Sequence, residues 1–142
     1  MKRSFMGLAI LLCLLAMLTI SPAASAQTVE EKADGIVILR YGIIDMISTG
    51  VSISNNIATC RGSVVTTVPC SIEMVLELQQ ITDNGWETIK EWTDSRNNTM
   101  SFTMKKTRTV GNGSFRTVVS VTVTTADGDS EPAEVISISE TN

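Results

Sequence analysis

Between residues 71 and 82 the chain alternates with a period of two. Ile72, Met74, Leu76 and Leu78 share one face, and Glu73, Glu77 and Gln79 share the other. Only an extended strand sends successive side chains to opposite faces, so this stretch reads as a strand with one face in a core and one in water. From Tyr41 onward the chain is rich in Val, Ile and Thr and is punctuated by turn residues about every 8 to 15 positions. Strands are expected at about 43–54, 57–66, 71–82, 86–93, 99–110, 114–125 and 133–139. The expected breaks are Asn55-Asn56, Val68-Pro69, Asp83-Asn84-Gly85, the loop 94–98, Gly111-Asn112-Gly113 and the loop 126–132. In the fifth strand Met100, Phe102 and Met104 alternate with Ser101, Thr103 and Lys105; in the sixth, Val119, Val121 and Val123 share a face. About seven short antiparallel strands in one domain, with no helical pattern, predict an all-β fold in the form of a two-sheet sandwich.

The first 26 residues have a different character. Lys2 and Arg3 precede a largely apolar run from Phe5 to Ile20, then the breaker Ser21-Pro22, then Ala23-Ala24-Ser25-Ala26. This is the layout of a cleaved signal peptide, with an A-x-A site ending at Ala26. The run is somewhat shorter than the ~20 residues of a membrane span. Cys13 lies inside the run and is preceded by Leu12 rather than a small residue, which argues against lipid modification. The expected organisation is a signal peptide at 1–26, a polar, flexible lead-in at 27–40 and the β domain at 41–142. Ile36 to Leu39 is apolar enough to dock on the domain. The protein is expected to be secreted, with no membrane span after cleavage.

The whole chain carries 11 basic and 15 acidic side chains. Removing the leader takes away Lys2 and Arg3 and no acid, so the net charge moves from -4 to −6. An acidic domain is a poor partner for nucleic acid, whose binding runs on clustered Lys and Arg. The basic run Lys105, Lys106 and Arg108 has no interleaved aromatics and reads as the charged margin of a strand. Histidine is absent from the sequence. That removes the usual general base and the commonest metal ligand, and with it any Ser-His-Asp or Cys-His site. No catalytic activity and no cofactor are expected.

Cys60 and Cys70 remain after the leader, and an even pair in an exported chain reads first as a disulfide. Ala58, Cys60, Gly62 and Val64 share a strand face from which Arg61 points away, and Cys70 has the parity of Ile72 and Met74. Both cysteines should therefore face the core, either bridged or as buried thiols. A register slip or bulge would undo this parity argument.

Three further sets are candidate sites. Trp86 and Trp92 have the same parity and could form an aromatic platform, though six residues set them about 20 Å apart; core packing is the other reading. Asp127, Asp129 and Glu131 offer oxygens at i, i+2 and i+4, a weak pattern for calcium without the rest of a calcium loop. Glu73 and Glu77 lie about 13 Å apart along a strand, too far for a pair of glycosidase carboxylates. Asn97-Asn98-Thr99 and Asn112-Gly113-Ser114 match the glycosylation acceptor pattern and mark exposed loops.

Ala58-Thr59-Cys60, the strand Trp86-Glu87-Thr88-Ile89-Lys90-Glu91-Trp92 and the segment Gly113-Ser114-Phe115-Arg116 carry a resemblance. The chain resembles small secreted proteins of clostridia and related Gram-positive bacteria that hold one immunoglobulin-like or fibronectin-like β-sandwich, a group without a characterised activity. The resemblance spans roughly 41–139. It implies a single immunoglobulin-like antiparallel sandwich. Where such strands often carry Tyr this chain has Phe115, so no tyrosine-corner hydrogen bond can form there. With elimination, the resemblance points to a secreted, non-catalytic binding protein whose ligand is an extracellular protein or glycan. The alternative is a structural or envelope-associated protein that self-associates through strand edges. The sequence does not set the oligomeric state.

Overall fold

A computed structural model describes Glu30–Lys32, Ile36–Ile38 and residues 42–142. The leader at 1–26 lies outside the described residues, as does most of the lead-in at 27–40. The two short described segments are strands. β1 (Glu30–Lys32) pairs antiparallel with β2 (Ile36–Ile38), and β2 pairs with β3 (Ile44–Ser54) through Ile36↔Ser48 and Val37↔Ile47. The lead-in is thus tied to the sheet at these positions.

The remaining strands are β4 (Ile57–Thr82), β5 (Gly85–Thr109), β6 (Ser114–Thr125), β7 (Ser130–Ile136) and β8 (Glu140–Thr141). Every pairing is antiparallel, and no helix occurs among the described residues. The fold is all-β, a single antiparallel sheet that curls on itself.

Two of the expected breaks are bends. The expected second and third strands are one strand, β4, and the fourth and fifth are one strand, β5. Their ladder slips between Val65↔Ser101 and Cys70↔Thr99, and again before Ile72↔Arg96. Pro69 has no N–H to give and falls in this slipped stretch, where the ladder asks for none. Opposite it, Asn98 takes a φ of 51°, a left-handed conformation that Asn tolerates. Both strands bend at the same level, so their pairing resumes beyond it.

The bend divides the sheet into two arms. The first holds β3, the start of β4 and the end of β5; the second holds the end of β4, the start of β5, β6 and β7. The core lies between them. Ile47, Val51, Ala58, Cys60, Val64, Phe102 and Met104 come from the first arm, and Ile72, Met74, Leu76, Leu78, Phe115, Val119 and Val123 from the second. The alternation read from the sequence therefore places the core correctly in β4 and β6. Each large aliphatic or aromatic side chain buried this way contributes roughly 1.5–3 kcal/mol. Met100 departs from the expected face and is 47% exposed, because it sits opposite the slipped stretch.

Two hairpin turns show why local residues matter. Asn55 and Asn56 have φ of 51° and 60°, the pair of left-handed residues a tight two-residue hairpin needs. In the next turn only Gly85 takes positive φ, and Thr82 Oγ1 donates to the Gly85 carbonyl at 3.1 Å and accepts the Asn84 N–H at 3.2 Å. The last expected strand ends early. β7 stops at Ile136, and Ser137 turns inward, its N–H donating to the Thr117 carbonyl and its Oγ accepting the Thr117 N–H, both at 2.9 Å.

Candidate functional site

The acidic set does not converge. Glu131 pairs with Val123 in register and, like it, points inward. It is buried, and its Oε2 accepts the Ile43 N–H at 2.5 Å and the Ile44 N–H at 3.2 Å. The carboxylate fills the space beside Gly42, which holds a φ of +142° and has no room for a Cβ. Asp127 and Asp129 stay exposed in the turn before β7, where Gly128 at φ +93° reverses the chain. Oxygens at i, i+2 and i+4 converge only where a loop wraps all three around one point; here Glu131 lies in β7 with its carboxylate on the Ile43 and Ile44 amides, away from the turn that holds Asp127 and Asp129. Among the described residues no three His, Cys, Asp or Glu side chains gather closely enough for a metal.

Trp86 and Trp92 do not share a face, which corrects the parity argument. The β4–β5 ladder shifts between Leu78↔Lys90 and Gln79↔Thr88, leaving Ile89 as an extra residue. A bulge of one residue reverses the facing of everything beyond it. Trp92 pairs with core residue Leu76 and packs against the core. Trp86 pairs with exposed Ile81 on the outer face, where the Arg116 guanidinium lies 4.4 Å from its ring centroid. Arg116 Nε in turn donates to Gln79 Oε1 at 2.8 Å. The two rings cannot form one platform.

Cys60 and Cys70 both face the core, as their parity implies, but they are free thiols and not a disulfide. The sequence predicts the bridge across a short connection between two strands. Here both residues belong to β4, ten positions apart, about 33 Å of extended chain before the bend takes some back. A disulfide needs Cα atoms about 4.4–6.8 Å apart. Cys70 Sγ donates to the Val68 carbonyl at 3.1 Å. Burial pushes the Cys60 thiol up to about 11.

Glu73 and Glu77 stay on the outer face of the second arm. Glu77 Oε2 accepts from Thr88 Oγ1 at 2.6 Å and from Gln79 Nε2 at 3.0 Å. Glu73 lines a shallow groove with Val75, Thr93, Asp94, Ser95, Ser120 and Thr122.

The basic run at the end of β5 separates by parity. Lys106 pairs with Cys60 and Arg108 with Ala58, both core positions. Arg108 Nη1 donates to the Ile89 carbonyl at 2.7 Å, joining the two ends of β5 at the bulge. Lys105 faces outward, directly opposite Arg61 of β4. Together with Ser48, Gly50, Ser52 and Thr59 these two cations line an open groove on the outer face of the first arm. The outward direction of Arg61 was legible from its alternation with Cys60. Its meeting with Lys105, 44 residues later, depends on a pairing register that no local pattern gives.

Comparison with protein-family models, with curated proteins and with solved structures finds no match to this chain.

Proposed function

We propose that the chain is a secreted, non-catalytic binding protein that engages an extracellular protein or glycan through an outer sheet face. In this reading the leader at 1–26 is removed, and the two arms are the sheets of an immunoglobulin-like sandwich, with β4 and β5 passing from one sheet to the other. The resemblance carried by Ala58-Thr59-Cys60 and the Trp86–Trp92 strand supports the fold and the secretion.

The observation that carries the proposal is the contrast between the interior and the outer face of the first arm. Inside, every buried side-chain nitrogen or oxygen among the described residues has a hydrogen-bond partner. Outside, the groove over Gly50 has nothing within 4 Å of where a Cβ would stand, and it is lined by hydroxyls and two cations. Such convergent polar groups in an open groove suit reversible recognition of a polar ligand.

A second reading rests on β5. Among the described strands it pairs with β4 alone along its 25 residues, so its other edge is free for a further strand. That edge would support self-association. Capture experiments against surface extracts and glycans, run beside sizing of the purified protein, separate the two. A saturable partner with a monomeric protein supports binding. Dimers or polymers without a partner overturn it in favour of self-association.

A further inference from the structure

In the first arm β3 carries one acid, Asp45, and β1, joined to it through β2, carries Glu30 and Glu31; residues 57–65 of β4 and 101–109 of β5 carry no Asp or Glu and hold Arg61, Lys105, Lys106 and Arg108. The chain as a whole carries a net charge of -4. The β4 and β5 segments of this arm are therefore locally basic within an acidic protein. Arg61 and Lys105 stand as direct cross-strand neighbours, an arrangement that repels and weakens a sheet by itself. Neither makes an ion pair among the described residues, where the one salt bridge joins Arg96 to Asp94. Around them the face is hydroxylic: Ser52 pairs with Thr59, and Thr59 with Thr107.

We propose that this face binds an acidic glycan, a sugar chain bearing carboxylate or sulfate groups. Arg61 and Lys105 meet the anionic group, and the hydroxyls of Ser52, Thr59 and Thr107 meet the sugar hydroxyls. The inference rests on the reading of the chain as a binding protein and names the ligand class. Other polyanions fit less well. Among the described residues the face has no aromatic side chain on which a base could stack, and two outward cations release few counterions from nucleic acid. A neutral sugar would leave the charge pair unanswered. A peptide that binds by adding a strand needs a sheet edge, whereas this groove lies in mid-sheet, with the main chain of β4 paired on both sides.

The test is calorimetric titration of the purified protein with dextran sulfate, polygalacturonate, neutral dextran and poly(dT) at low and moderate salt. The expected result is saturable binding of at least one acidic glycan, weakened by salt, with no binding of dextran and weaker binding of poly(dT). Arg61→Gln and Lys105→Gln should each weaken it by about tenfold or more, the worth of a charge-assisted contact. Lys90→Gln, on the other arm, should leave it unchanged. Melting curves of each variant establish that the fold is intact. Equal affinity for poly(dT), or unchanged binding by the Arg61 and Lys105 variants, overturns the inference. If no acidic glycan binds but the protein captures another saturable partner, this inference falls and the binding reading stands. If nothing binds and the protein only self-associates, both fall.

Discussion

Thr49 and Thr117 meet across the core, with their hydroxyl oxygens 2.9 Å apart and both side chains buried. Thr49 Oγ1 also donates to the Arg61 carbonyl at 2.9 Å. A hydroxyl has one proton, so Thr49 shares its own between the Thr117 hydroxyl and the Arg61 carbonyl. This contact links β3 and β6, which are not ladder neighbours. Thr49→Val should lower stability by about 1–2 kcal/mol, because a buried hydroxyl loses its partner. The double variant with Thr117→Val should cost less than the sum of the singles. Urea midpoints of the four proteins in the cycle measure this coupling.

Gly62 sets how closely the arms approach. A Cβ built there lies 3.2 Å from Met74 Sδ and closer still to Val119 Cγ2. Gly62→Ala should therefore destabilise by about 1–3 kcal/mol through overpacking. Adding Val119→Ala should recover part of that loss by making room. Thermal melts of the single and double variants check it, and equal melts would mean the arms part without cost.

Cys60 makes stability depend on alkaline pH. Its thiol ionises at about 11 in the folded protein against an ordinary 9.0, because burial disfavours the thiolate. The sign follows: the folded-state value is raised, so this contribution is fully present below pH 9 and is lost as pH rises from 9 through 11. The loss amounts to about 1 kcal/mol by pH 10. The stability gap between wild type and Cys60→Ala should narrow over that window in urea unfolding. Alkylation at pH 8, mapped by peptide mass, should reach Cys60 only after unfolding.

Glu131 anchors the start of β3 to β7 through the N–H groups of Ile43 and Ile44. Glu131→Ala should cost about 1–3 kcal/mol, since it leaves these donors without their acceptor. Glu131→Gln keeps an acceptor oxygen and should cost less. Millimolar calcium should leave the melting temperature of the wild type unchanged; a rise of several degrees would show that the acidic turn gathers around the ion after all.

Removing either outward cation of the first arm should relieve like-charge repulsion. Arg61→Gln and Lys105→Gln are each expected to raise stability by a few tenths of a kcal/mol, more at low salt. Denaturant midpoints at two ionic strengths read this directly. A stability gain beside a binding loss would separate a ligand contact from a merely structural residue.

The alternation of small runs such as Ile72, Met74, Leu76 and Leu78 was enough to specify strands and their buried face, because facing along a strand is a local property of two-residue period. Turns at Asn55-Asn56 and Gly85 were legible for the same reason: positive φ is set by the residue itself. What the sequence could not decide was everything that depends on register between distant segments. Val68-Pro69 reads locally as a break, yet β5 bends alongside β4 and carries the strand through. Trp86 and Trp92 have equal parity, yet the Ile89 bulge, which exists only against Gln79 and Leu78, sends them to opposite faces. The cysteines face one core from a single strand and stay unbridged, Glu131 leaves its acidic neighbours for the Ile43 and Ile44 amides, and Arg61 finds Lys105. Each of these turns on which residue stands across the ladder, and a slip of one position there reverses the outcome while leaving the local pattern intact.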